Sequence, residues 1–175
     1  MLPLAHIGIT LTIVRAVEKR VELPGIDYRL LLGASLLPDI LDKPLAYFLF
    51  DRSLHEGRAF GHSLAFLLLL GIFGLVWRFW RKGCVPVTIL TGVIFHDLLD
   101  SMWLHAGILL WPLYGWAFPA ATNEAWQGTF QIAGRNVHWL VALDAFGALL
   151  LLNFFFRLVS IDRLIHFLRT GECHS

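Results

Sequence analysis

The sequence predicts an all-α integral membrane protein: a bundle of about five apolar helices around a polar metal site in the outer half of the bilayer. Three observations lead there. Of the 175 residues, 57% are hydrophobic and 15% charged, against about 45–50% and about 25% in soluble domains. The apolar residues fall in long runs separated by polar links, and a helix crosses lipid with all of its backbone groups paired. Histidines and carboxylates interrupt those runs, and ionisable groups in such segments are costly and face a protein interior or a wet cavity.

The length fits one domain, residues 1–175, with the informative motifs in 1–115 and an amphipathic basic tail at 157–175. A net charge of +1, with no basic patch interleaved with aromatics, excludes nucleic acid as a partner. Cys84 and Cys173 form no CxxC pair, so neither a zinc knuckle nor a disulfide framework is expected. The opening residues lack a positively charged leader start and a small-residue cleavage site, so His6 is expected to be retained.

Leu2 to Val17 is apolar but short for a span of about 20 residues, carries His6 and ends in Arg15, Glu18, Lys19 and Arg20. Leu23–Asp27 reads as a turn before Arg29. Leu30–Phe50 is broken by Pro38-Asp39 and Asp42-Lys43-Pro44, which predicts a kinked or broken helix lining a cavity. A polar link, Asp51–Gly61, holds His55, Glu56 and Arg58. Phe60–Trp80 opens with Gly61-His62-Ser63 and continues into a lipid-type leucine run.

The central segment, Val85 to about Trp111, reads as a spanning helix in which His96 and Asp100 share a face one turn apart, with Asp97 on another side. Pro112–Asn136 is expected to form a surface lid or interfacial helix, since structureless loops of that length are uncommon. Val137–Phe156 is the last span, with His138 at its start and Asp144 inside it. The tail with Arg157, Arg163 and Arg169 is expected on the membrane surface. Trp103, Trp111, Trp116 and Trp139 suit interfacial belts.

With the segments alternating, ten of the fourteen basic residues fall on one side and four (Lys43, Arg52, Arg58, Arg135) on the other. The positive-inside bias puts the larger group in the cytoplasm. His6, Asp39, Asp42, His55, His62, His96, Asp100, His105, His138 and Asp144 then all lie in the outer half of the bilayer or just above it.

A metal-dependent hydrolase needs His and carboxylate ligands, an open coordination position and groups that orient the imidazoles. His6, Asp39, His62, His96 and Asp100 are the leading ligand set for one or two divalent ions, with Asp42, His55 and Asp144 behind them. Zinc is the first choice and manganese the second, given the oxygen and nitrogen donors. Asp39, His96 and Asp100 are the expected catalytic residues, with Arg58 as a phosphate clamp.

The order His6, Leu37-Pro38-Asp39-Ile40-Leu41-Asp42, Gly57-Arg58-Ala59-Phe60-Gly61-His62-Ser63-Leu64, His96-Asp97-Leu98-Leu99-Asp100 and Leu110-Trp111-Pro112-Leu113 resembles the predicted membrane-bound metal-dependent hydrolases of bacterial and archaeal inner membranes. Those proteins show an early His, an LPDxD element, an HRGxTHS element and an HxxLD element. Here the second carboxylate falls one residue late, at Asp42, Gly57 stands where that family has its first His, with His55 two residues earlier, and Gly61 stands where it has Thr. The family is distantly similar to zinc-dependent phospholipase C, which implies phosphoester hydrolysis at a multi-zinc site, by analogy. The expectation is a multi-pass hydrolase of the cytoplasmic membrane, facing outward and acting on a phosphoester such as a phospholipid. The alternatives are a membrane protein with a structural metal and a cation or proton transporter.

Overall fold

A computed structural model of the chain describes residues 2–20, 25–48, 57–80, 83–118 and 123–171. These are helical, with no strand among them: α1 (Pro3–Glu18), α2 (Tyr28–Ala34), α3 (Leu37–Phe48), α4 (Leu64–Trp80), α5 (Val85–Leu99), α6 (Ala106–Leu109), α7 (Asn123–Phe156) and α8 (Ile161–Thr170). His55 lies outside the described residues.

Local chemistry sets the boundaries. α1 starts with Pro3 in its first turn, where a missing N–H leaves no intrahelical bond unmade. Asp27 caps α2 by accepting from the backbone N–H groups of Arg29 (3.0 Å) and Leu30 (3.4 Å). The break expected in Leu30–Phe50 occurs at Ser35-Leu36, before Pro38 rather than at it. Pro38 occupies the first turn of α3, where proline is tolerated, and Pro44 stays inside the helix. Ser63 Oγ accepts from Phe66 N (3.2 Å) at the start of α4.

The central helix is shorter than expected. It ends at Leu99, with Asp100 as its C-cap and Ser101 in the left-handed region at φ 55°. A 3₁₀ turn, Met102–Leu104, and the single turn of α6 replace the anticipated continuation to Trp111. At 1.5 Å per residue α5 is about 22 Å long, short of a hydrocarbon core of about 30 Å. The expected link to Asn136 ends earlier, because α7 begins at Asn123. Among the described residues one helix, Val137–Phe156 within α7, is long and apolar enough to cross a membrane, and α4 and α5 are shorter apolar helices.

The outside of the molecule is more apolar than part of its inside. Leu68, Ile72, Leu75 and Val76 of α4 and Phe146, Leu149 and Leu152 of α7 are exposed. His6, Thr10, Ser35, Asp42, His62, Thr88 and His96 are wholly buried. Trp103, Trp116 and Trp139 are exposed, whereas Trp111 stacks on Phe118 (centroids 4.9 Å) and packs edge-on to Phe60 (6.0 Å), so it is a packing residue rather than a belt residue.

Two close helix approaches hold the bundle. A Cβ on Gly8 would lie 2.2 Å from the Gly147 carbonyl oxygen, and one on Gly147 would lie 2.3 Å from the Leu4 oxygen. The backbones of α1 and α7 therefore touch, the small-residue packing that suits helices in lipid. Asp144 accepts from Ala5 N (3.0 Å), satisfying a donor that the first turn of α1 leaves open. Gly92 of α5 sits against Ala34 and Ser35 in the same manner.

The apolar core lies at the other end of α1: Leu11, Val14, Ile26, Tyr28, Leu31, Phe154, Leu158 and Phe167. The tail helix is docked there. Phe167 packs on Phe154 (5.7 Å), Arg29 Nη1 donates to the Leu168 carbonyl (2.6 Å), and Tyr28 N donates to the Gly171 carbonyl (2.9 Å). Ile161, Ile165 and Leu168 of α8 remain exposed.

Two outcomes follow. Gly147→Val should lower thermal stability in detergent by about 3 kcal/mol or more, since an overpacked contact here involves backbone on both sides. Gly71→Ala, which meets nothing within 4 Å, should change it by less than about 1 kcal/mol; a melting curve of each variant reads the contrast. Asp27→Ala should cost about 1 kcal/mol through loss of the cap. The Arg29 guanidinium holds the Asp27 carboxyl below its ordinary value of 3.8. A lowered folded-state value makes this contribution complete above pH 3.8 and lost as pH falls below it, so the gap between wild type and Asp27→Ala should close in acid.

Candidate metal centre

His6 on α1, Asp39 and Asp42 on α3, His62 in the 3₁₀ turn Phe60–His62, and His96 and Asp100 at the end of α5 come together at the end of the bundle opposite that core. Each of the three imidazoles has one ring nitrogen engaged away from the centre. His6 Nδ1 donates to the Leu2 carbonyl (3.1 Å), His96 Nδ1 to the Ser35 carbonyl (2.7 Å), and His62 Nδ1 to Asp42 Oδ2 (2.7 Å). A carbonyl or a carboxylate only accepts, so these partners place the hydrogen on Nδ1 in all three rings. In the neutral ring each Nε2 then carries a lone pair on the side away from that partner.

The lone pairs converge. His62 Nε2 and His96 Nε2 are 3.2 Å apart, and the His6 ring stacks on His96 with centroids at 4.3 Å. Asp39 Oδ1 lies 3.8 Å from His62 Nε2 and 4.0 Å from His96 Nε2. His6 Nε2 is 3.1 Å from Asp100 Oδ1, an ion pair when the ring is protonated and otherwise a buried nitrogen with no hydrogen bond among the described residues. Two acceptor nitrogens at 3.2 Å repel unless a cation or proton lies between them, and an orphaned buried acceptor is costly. Both features fit a cation.

The ligand atoms form two sets, His6–His96–Asp100 and Asp39–His62–His96, each with its atoms within 4.8 Å of one another. They share His96, whose Nδ1 is committed to Ser35, so its single lone pair can serve only one ion at a time.

The carboxylates have different tasks. Asp42, expected as a reserve ligand, is fully buried and accepts from His62 Nδ1, Ala59 N (2.7 Å) and Gly61 N (2.8 Å). Its oxygens are occupied, and it orients His62 as a carboxylate behind a ligating imidazole does. Asp100 presents Oδ1 to His6, while Oδ2 receives Arg58 through Nη2 (2.8 Å) and Nε (3.2 Å). Arg58, expected to clamp a phosphate, is therefore engaged with Asp100. Asp39 is the more accessible carboxylate, with its Oδ2 held by Lys43 Nζ at 2.6 Å.

Asp144, the other described reserve ligand, belongs to neither set and instead holds α1 to α7. His105 and His138 are also outside both sets, and Asp97 is buried with neither oxygen hydrogen-bonded among the described residues. Sequence reasoning missed the Ser35 and Leu2 carbonyls, since a backbone acceptor leaves no side-chain signal. It also missed Lys43, although its i,i+4 spacing from Asp39 was readable.

The fold and this cluster define a class: a helical protein with a lipid-compatible exterior and a buried His/Asp centre. The chain belongs to the YdjM inner membrane protein family, whose model matches residues 1–164. No curated protein and no solved structure matched it. The match extends past the motif region into α8 and establishes an inner-membrane family; its description speaks neither of hydrolysis nor of phospholipase C.

Asp42→Ala should be the most damaging single change at the centre. It strands two buried N–H groups and the His62 Nδ1–H, at a cost of about 1–3 kcal/mol for each unsatisfied group. Asp39→Asn, at the accessible edge, should leave the melting temperature within a few degrees of wild type. Melting curves in detergent compare the two.

Proposed function

We propose that the centre holds a divalent ion, zinc before manganese, and that the protein is a membrane-bound hydrolase of phosphoesters such as those of phospholipids. The observation that carries this reading is the pair of ligand sets that meet at His96, with each of the three imidazoles fixed by a partner on its far nitrogen. His96 would be a ligand in either case, with His6 and Asp100 on one side or with Asp39 and His62 on the other. A divalent ion held there supplies Lewis acidity toward a phosphoryl oxygen and lowers the pKa of bound water to about 7.

The chain's own residues supply the remainder. Asp42 and the Ser35 carbonyl fix the tautomers and aim of His62 and His96. With the ion held by His6, His96 and Asp100, Asp39 Oδ1 would be the group that takes a proton from a hydrolytic water, with Lys43 holding the other oxygen. Arg58 keeps Asp100 turned toward His6 and brings positive charge to the side where a phosphate would sit.

In this reading α1, the α2–α3 pair, α4 and α5 cross the membrane together with α7, and the centre faces away from the cytoplasm. Arg15, Lys19, Arg29, Arg157, Arg163 and Arg169 belong to the segments at the opposite end, which the positive-inside bias puts in the cytoplasm. Complete burial of all three imidazoles favours a second reading, a structural ion that ties α1, α3 and α5 together without turnover.

Elemental analysis of the purified full-length chain separates these. Wild type should retain stoichiometric zinc, and His96→Ala should bind it about tenfold or more weakly, as loss of an anchoring ligand requires. Hydrolysis of a phospholipid phosphodiester should vanish with chelator, return with zinc, and be lost in Asp39→Asn. Zinc without turnover would establish the structural ion, and wild type free of metal would overturn both readings.

A further inference from the structure

A second feature lies at the other end of the bundle. A cleft of about 290 Å³ opens between the last turns of α1 and α7, close to the lower limit of small-molecule sites, about 300 Å³. Its rim carries Arg15, Lys19 and Arg157 together with Asn153, and its floor is apolar, with Leu150 and Phe154.

Among the described residues none of the three cations is ion-paired with a carboxylate. The nearest acid in sequence, Glu18, is turned away to receive the Tyr28 hydroxyl and Ile26 N. Arg15 lies over the Phe154 ring at 5.1 Å, which fixes its guanidinium at the cleft wall. Arg157 Nε donates to Asn153 Oδ1 (3.0 Å), which orients that guanidinium, and among the described residues neither Nη is hydrogen-bonded.

The depth of the cleft is set by α7. The apolar span ends at Phe156, so Arg157 stands where hydrocarbon gives way to headgroups. A ligand here meets positive charge at headgroup level and apolar surface directly beneath. An anionic phospholipid has that polarity, and basic pockets between membrane helices on the cytoplasmic side hold such headgroups.

We propose that the Arg15–Lys19–Arg157 cleft binds the phosphodiester of an anionic phospholipid, with an acyl chain lying on Leu150. The site is separate from the His/Asp centre and stands whether or not that centre is catalytic.

Native mass spectrometry of the full chain tests this, using phosphatidylglycerol and phosphatidylcholine of identical acyl chains. Phosphatidylglycerol should bind at least tenfold more tightly, since each basic residue near an anionic surface contributes about fivefold. The triple variant Arg15→Gln, Lys19→Gln, Arg157→Gln should lose that preference. Lys19→Glu alone, at an exposed position that no packing depends on, should weaken binding at least fivefold. Arg163→Gln with Arg169→Gln, which removes two charges from α8 outside the cleft, should leave the preference for phosphatidylglycerol unchanged.

Millimolar inorganic phosphate or glycerol phosphate should fail to displace the lipid. Equal binding of the two lipids, or loss of preference in the α8 variant, would overturn the proposal. Full displacement by free phosphate would overturn it too, by reassigning the cleft to a soluble anion.

Discussion

Everything at the polar end of this molecule depends on where three imidazole rings put their hydrogens. Each ring hands its Nδ1–H to a fixed acceptor, the Leu2 carbonyl, the Ser35 carbonyl or Asp42. That leaves the inward nitrogens of His62 and His96 3.2 Å apart, an arrangement unstable by itself in a low-dielectric interior, with the His6 ring stacked on His96. The constraint explains features that otherwise look unrelated. α2 stops at Ala34 so that the Ser35 carbonyl is available, and Gly92 lets α5 come close enough for His96 to reach it. The turn before α4 carries Ala59 N and Gly61 N to Asp42, which in turn aims His62.

The same demand accounts for the short helices. A run of apolar residues would continue through Asp100 by composition, but the backbone turns at Ser101 in a left-handed conformation that non-glycine residues seldom adopt. Ending α5 there leaves Asp100 at a helix terminus, where Oδ1 reaches His6 and Oδ2 reaches Arg58. The bundle is divided lengthwise: a centre of bonded polar groups at one end, and aromatic and aliphatic packing under basic side chains at the other.

The helical class was legible in the composition, and the last span, Val137–Phe156, in its unbroken apolar run. The gathering of His6, Asp39, His62, His96 and Asp100 was legible because charge inside hydrophobic segments is too costly to be scattered without a reason. Which carboxylate does what was not. Asp42 and Asp39 are three apart on one helix and look equivalent in sequence, yet one faces the backbone of a turn from another part of the chain and the other faces the rings. Asp144 looked like a ligand because it interrupts an apolar span, whereas it fills a vacant acceptor role at the start of α1. Helix ends were the least legible, since the stop at Leu99 comes from tertiary bonding and not from proline or glycine.

The glycine contact between α1 and α7 bears on the order in which the centre is put together. The groove that seats the helix carrying His6 is built from residues made late, since the bond from Ala5 to Asp144 spans 139 positions. The Asp39–His62–His96 half is drawn from segments up to α5 alone. His6 comes off the ribosome before any of them, yet its helix gains its main support only when α7 has entered the membrane. The set that contains His6 therefore depends on contact between the first and the last long helix of the chain, whereas the other set does not.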